Sequence, residues 1–113
     1  MDDCIFCKIA RNEIGRLVYE DETVAAFDDL NPQAPTHVLI VPKKHIEQLA
    51  AIAPDDGALL GRVFEAANKI AAERSIATSG YRVVVNNGRA AGQSVDHLHF
   101  HLLGGRPLGW PPG

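Results

Sequence analysis

The chain has 113 residues, 46% of them hydrophobic and 22% charged, a composition that buries a core without help from disulfides and excludes a disordered or fibrous polymer. A net charge of −3, with lysines and arginines scattered among acids, excludes the basic stripe of a nucleic-acid-binding surface but not a local pocket for a small anion. No apolar run approaches membrane-spanning length and Met1-Asp2-Asp3 is acidic where a secretory leader is basic, so one domain over residues 1–113, located in the cytoplasm, is expected.

Cys4 to Ala10 predicts a helical turn or short helix. Its two cysteines, in Cys4-Ile5-Phe6-Cys7, stay reduced in that compartment, and their spacing suits metal or redox chemistry better than a loop staple. Leu17 to Tyr19 and Thr23 to Phe27 flank Glu20-Asp21-Glu22 and read as a hairpin. Two prolines bar a regular ladder from Asn31-Pro32-Gln33-Ala34-Pro35, which is a loop. Val38 to Val41 is then a short strand, apolar throughout, stopped by Pro42.

Pro54 to about Arg74 is the one long helix, with Pro54 in its first turn and Asp55 and Asp56 at the positive end of the dipole. Leu60, Val63, Phe64, Ala67, Ile70 and Ala71 recur at helical spacing and form its apolar stripe. Tyr81 to Val85 is a β-branched strand, Asn86-Asn87-Gly88 opens a polar loop to Ser94, and Val95 to Leu103 is the last strand. The order implies an α+β fold, an antiparallel sheet of about five strands with the helix on one face. So few strands leave an edge or a face open, which dimerisation would cover.

Three of the five histidines fall at His97, His99 and His101. Residues i, i+2 and i+4 of a strand point to one side, so these imidazoles line one face, backed by Leu98, Phe100 and Leu102. Such a row can bind metal, shuttle protons or supply a nucleophile, since an imidazole of pKa ~6.5 is largely uncharged at neutral pH. The glycine-containing loop Gly88 to Ser94 runs directly into the row, and successive backbone N–H groups in such a turn can cradle phosphate oxygens.

The stretch His97-Leu98-His99-Phe100-His101-Leu102-Leu103 resembles the pattern His-φ-His-φ-His-φ-φ, with φ apolar, that names the histidine triad (HIT) superfamily. Asp29-Leu30-Asn31-Pro32-Gln33-Ala34-Pro35-Thr36-His37, Val41-Pro42-Lys43-Lys44-His45, Gly92-Gln93-Ser94-Val95 and the tail Gly104-Gly105-Arg106 with Trp110-Pro111-Pro112-Gly113 are similar to its nucleotide-binding Hint-like branch. The resemblance covers nearly the whole chain. It implies a HIT-like fold with a short N-terminal helix, paired into a homodimer in which C-terminal residues such as Trp110 lie near the partner's active site.

The resemblance also implies chemistry. His99 would be the nucleophile, attacking the α-phosphorus of a nucleoside phosphoramidate or acyl-adenylate to form a nucleotidyl-histidine that water hydrolyses. His101 would offset charge at the phosphate oxygens, Ser94 would stand near the leaving group, Gln93 beside the phosphate, and His37 would support the site. Asp29 would accept both ribose hydroxyls. Ile5, Phe6, Ile9, Phe27 and Leu30 would line the base pocket, although plain core packing accounts for these five almost equally well. Asn86, Gly92 and Val95 would complete the nucleotide site, and Asp28 departs from the histidine that related members carry there.

Cys4, Cys7, His45 and His97 match the four ligands of the zinc-bearing members, a closed Cys2His2 set of structural type. Zinc so held would tie the N-terminal turn to the triad and remove His97 as a nucleophile; catalysis itself would need no cofactor. The leading implication is a purine nucleoside phosphoramidase that converts AMP phosphoramidates to AMP and an amine, with no nucleic-acid or membrane partner. A dinucleoside polyphosphate hydrolase and a nucleotide-binding scaffold with vestigial catalysis are the alternatives. A metal-storage or redox module fits less well, because a closed site has no open position for chemistry.

Overall fold

One carboxylate builds the hairpin that opens the sheet. In a computed structural model that describes residues 3–113, Asp21 accepts the backbone N–H groups of Thr23 and Val24 at 2.7 and 2.8 Å and the Tyr19 hydroxyl at 3.0 Å. These bonds turn the chain between β1 (Tyr19–Glu20) and β2 (Val24–Asp28). The acidic opening at residues 1–2 lies outside the described residues.

Beyond the proline loop, β3 (Thr36–Pro42) begins two residues before the expected strand and is buried along its whole length. With β4 (Tyr81–Val85) and β5 (Phe100–Gly104) it completes a five-stranded antiparallel sheet of order β1-β2-β3-β5-β4. The last strand is shorter than the sequence predicts, since residues 95–99 stay outside the ladder. Pro42 supplies the reason. The β3–β5 register pairs Ile40 with Phe100, so the next rung in step would set Pro42 against Leu98, and proline has no N–H to give. Leu98 instead donates to the Ile46 carbonyl at 2.6 Å, and the Pro42 carbonyl is 2.8 Å from His97 Nε2.

The long helix α2 spans Gly57–Glu73, and the expected first turn from Pro54 is a separate 3-10 turn, Pro54–Asp56. Asp56 closes that turn by accepting the Ala53 N–H at 2.9 Å and anchors it to the segment after β3 through Lys44 Nζ at 2.9 Å. From α2, Val63, Ala66, Ala67 and Ile70 pack on Val24, Ala26, Val38, Ile40, Phe100 and Leu102. Phe64 of the expected stripe is half-exposed and meets Phe100 edge-on, with centroids 5.9 Å apart.

The short helix α1 (Ile5–Ala10), capped by Cys4, covers the opposite face only in part. Its Phe6 and Ala10 pack on Ala25, Phe27, Leu39 and Val41. Toward β5 and β4 that face is open. No helix among the described residues is long and apolar enough to cross a membrane.

Candidate functional site

Where α1 stops covering the sheet, a cleft of about 450 Å³ opens, a size that suits a small organic ligand. One side is apolar, formed by Ile5, Phe6, Ile9, Val18, Phe27 and Leu39, with the fully exposed Leu30 at its border; the other presents Asp29, Ser94, His99 and His101. Strand alternation accounts for much of this. His37 and Leu39 of β3 share a face, Phe27 is the register partner of Leu39 across one edge, and His101 is its partner across the other. Leu39 and Val18 were not singled out in the sequence; two-residue spacing from His37 would have found the first.

Partners that have only one role decide which nitrogen of each ring carries the proton. His99 Nδ1 is 2.7 Å from the His97 carbonyl, which can only accept. The proton is therefore on Nδ1, and Nε2 keeps the lone pair. Phe6 stands edge-on to this ring at 5.1 Å and 85° and fixes its plane.

At His37 the order is reversed. The Gln33 backbone N–H donates to Nδ1 at 3.0 Å, so the proton of His37 is on Nε2, from which it donates to His101 Nδ1 at 2.9 Å. His101 accepts there and carries its own proton on Nε2. Burial pushes the pKa of His101 down to about 4, with His99 and His37 adding to the effect and Asp29 opposing it, so the ring is neutral at neutral pH. The cleft thus sets side by side, with ring centroids 5.2 Å apart, one imidazole whose Nε2 offers a lone pair and one whose Nε2 offers a proton. Asp29 completes the group, with one oxygen 3.4 Å from His37 Nε2 and the other accepting the Asn31 N–H at 2.8 Å.

Not every expected residue joins the cleft. His97 does not line it with the other two triad members, because it lies in a bend before β5 and its ring is fully buried against His45. Asn86, Gly92, Gln93 and Val95 do not border the cleft either. Glycines with φ of 86° and 98° at Gly88 and Gly92 let the loop fold back on itself. Its amides at Ala91, Gly92 and Gln93 consequently donate to carbonyls of the same loop, and the Gly88 amide donates to the Gln93 side chain, so these four form no phosphate cradle. The buried Gln93 amide donates onward to the Glu47 and Val95 carbonyls at 2.8 and 3.0 Å, bracing the loop that ends at Ser94. Asp28 borders the cleft, but its carboxylate turns to Arg74 at the end of α2, at 3.0 Å.

Two groups of side chains have metal-ligand chemistry, and tautomers separate them. Cys4, Cys7, His45 and His97 place their donor atoms within 4.8 Å of one another. His97 Nδ1 lies 3.4 and 3.5 Å from the two sulfurs, and His45 Nδ1 lies 3.2 Å from Cys7 Sγ. Bonds of about 2.3 Å to sulfur and 2.0–2.1 Å to nitrogen at tetrahedral angles would separate such atoms by about 3.6 Å, so the set could hold a metal ion. His97 is already in the right form, since it donates from Nε2 to the Pro42 carbonyl and keeps the Nδ1 lone pair toward the sulfurs. Burial and the neighbouring Cys4 raise the Cys7 thiol to about 11, and a metal would have to displace its proton.

Asp29, His37 and His101 are equally close together. A metal on His37 Nε2 would require a proton on Nδ1, which faces the Gln33 N–H, so this second group is built for hydrogen bonding instead.

The fold agrees with that of known proteins. A family model, HIT domain, matches residues 11–108. A purine nucleoside phosphoramidase of Escherichia coli K12 is 48% identical over 109 residues, 96% of this chain and 92% of that protein. An uncharacterized HIT-like protein of Synechocystis is 53% identical over 113 residues, 99% of this chain and 98% of its own. Among solved structures, a HIT family hydrolase from Legionella pneumophila superposes with a TM-score of 0.95 at 48% identity, covering 98% of this chain and 100% of that one. On the strength of the matched family model and these relatives, the chain belongs to the HIT family.

Proposed function

We propose that the protein hydrolyses the P–N bond, or the related acyl–phosphate bond, of purine nucleoside 5′-monophosphate derivatives through a nucleotidyl-histidine on His99. The observation that carries this reading is the His99 ring itself, with Nδ1 committed to the His97 carbonyl and Nε2 left with a lone pair in a ring that borders the cleft. The likeness to a purine nucleoside phosphoramidase supports the substrate class.

In this mechanism the base lies among Phe6, Ile9, Phe27 and Leu30, with Ile5 at the rim, and the ribose hydroxyls donate to Asp29. His99 Nε2 bonds to the α-phosphorus as the P–N bond breaks. The departing amine takes up a proton from a solvent water at the Ser94 end, leaving hydroxide. Negative charge on the pentavalent phosphorus is met by the His101 Nε2–H, held in place by His37. Water then attacks the same phosphorus, the imidazole leaves, AMP is released, and water returns the proton that the amine took.

Zinc at Cys4, Cys7, His45 and His97 fits the proposal as a structural ion, taking no part in the reaction. A homodimer fits as well: β4 is an outer strand of the sheet, half-buried along its length, and Trp110 is largely exposed beside it, its ring 5.9 Å from the Arg82 guanidinium. Rapid quenching with an adenosine phosphoramidate, followed by peptide mapping, tests the core of the reading. An adduct on His99 is expected; turnover with an adduct elsewhere, or turnover of diadenosine triphosphate in preference to the phosphoramidate, would overturn it.

A further inference from the structure

We infer that Arg106, outside the cleft, is a positioning residue for the phosphate-side histidine, acting through the Gln33 backbone and His37; the inference rests on the proposed reaction for its kinetic consequence. The donor at His101 exists only while His37 holds its proton on Nε2. An isolated imidazole can hold it on either nitrogen. Were His37 protonated on Nδ1, its Nε2 would accept, His101 would have to donate from Nδ1, and the His101 Nε2 facing the phosphate would become a lone pair. One misplaced proton converts attraction into repulsion at the reacting centre.

The group that forbids this is the Gln33 N–H, donating to His37 Nδ1 at 3.0 Å. Gln33 sits in the exposed loop between two prolines, where its other bonds are local. Its side chain donates to the Asn31 carbonyl at 2.9 Å, and Asn31 N–H donates to Asp29. The tether from elsewhere in the chain is Arg106, two residues beyond β5, whose Nη2 and Nε donate to the Gln33 carbonyl at 2.8 and 3.3 Å. Its remaining Nη1 donates to the Pro107 carbonyl at 2.9 Å, which braces the guanidinium from behind.

The approach of this segment is enforced by its neighbour. Gly105 has φ of 94°, and a Cβ there would fall 2.8 Å from Pro35 Cβ, so only glycine lets the tail dock on the loop. A chain of single-role contacts therefore runs from Arg106 to the Gln33 carbonyl, from the Gln33 amide to His37, and from His37 to His101. Charge-assisted bonds of a guanidinium are among the stronger hydrogen bonds available to a peptide carbonyl, and lysine cannot reproduce the fork.

The test compares wild type with Arg106→Ala and Arg106→Lys. For an adenosine phosphoramidate, Arg106→Ala is expected to lower kcat about tenfold, equivalent to about 1.4 kcal/mol, with KM changed less than about twofold. In a His37→Ala background the same substitution is expected to cost nothing further, and free guanidinium is expected to restore turnover to the single variant. The ¹⁵N ring shifts of His37 are expected to show one tautomer, lone pair on Nδ1, in wild type and a mixture in Arg106→Ala and, less fully, in Arg106→Lys. Unchanged ring shifts in both variants, or an equal loss of kcat with and without His37, would overturn the inference. Should wild type turn over no phosphoramidate, the proposed reaction fails, while the ring shifts still decide the role of Arg106. Arg106→Lys supplies the ring-shift reading even if Arg106→Ala does not fold.

Discussion

Replacing His99 by alanine removes the one ring in the cleft whose Nε2 keeps a lone pair, while leaving Asp29 and the apolar wall intact. Turnover is expected to fall by on the order of 10⁴-fold or more, as when a nucleophile is deleted elsewhere, while AMP binding measured by calorimetry changes little. Asp29→Asn keeps the shape but removes the charge that strengthens bonds from ribose hydroxyls. AMP affinity is expected to fall about tenfold, and the gap between ribose and 2′-deoxyribose substrates to narrow, in steady-state assays of both. At this scale the sequence singles out His99, His101, Asp29 and Ser94, all of which border the cleft. It did not show their proton positions. Those depend on the His97 carbonyl and the Gln33 amide, and a backbone group leaves no trace in the letters of the chain.

Helix α1 has six residues, far fewer than an isolated helix needs to persist in water. It is held by Phe6 against Phe27 and by two thiols beside His45 and His97, so whatever occupies the Cys2His2 set also fixes the ring that backs His99. Elemental analysis is expected to find about one zinc per chain, and Cys7→Ser to lose it. The same substitution is expected to lower the melting temperature by roughly 5–10 °C and to reduce kcat/KM, read by calorimetry and assay. An unchanged melting point with metal lost would separate the ion from the stability of α1. The elements themselves were largely legible, since an unbroken apolar run marks β3, β-branched residues mark β4 and the 3.6-residue period marks α2. Two of the ends that shifted did so through partners that the local pattern does not reveal. Residues 95–99 leave the ladder because Pro42 stands opposite, and Asp56 turns to Ala53 and Lys44 before α2 begins.

Across the whole molecule, the open edge at β4 and the open half of the face beyond α1 lie together, and a second copy would cover both. Such pairing would make stability depend on concentration, so any pH series belongs at one protein concentration. The cleft then supplies a pH dependence of known sign. His101 is held near 4 in the folded chain, whereas an unfolded imidazole titrates near 6.5, and burial also lowers His97. Between these values the unfolded state binds the proton and the native state does not, so stability rises with pH across that window and is lost on acidification. For His101 alone the loss is at most about 3 kcal/mol, less the solvent screening of a ring that is only partly buried; it is complete below pH 4 and absent above about 7. Urea unfolding of metal-free protein at pH 7 and pH 4.5 is expected to show most of that loss. His101→Gln, which never charges, is expected to flatten the curve; an equally steep fall in that variant would place the acid sensitivity outside the cleft. The same neutrality that costs the fold its acid resistance keeps His101 a donor at Nε2 and an acceptor at Nδ1, the form in which it can accept from His37 and still offer a proton to the cleft.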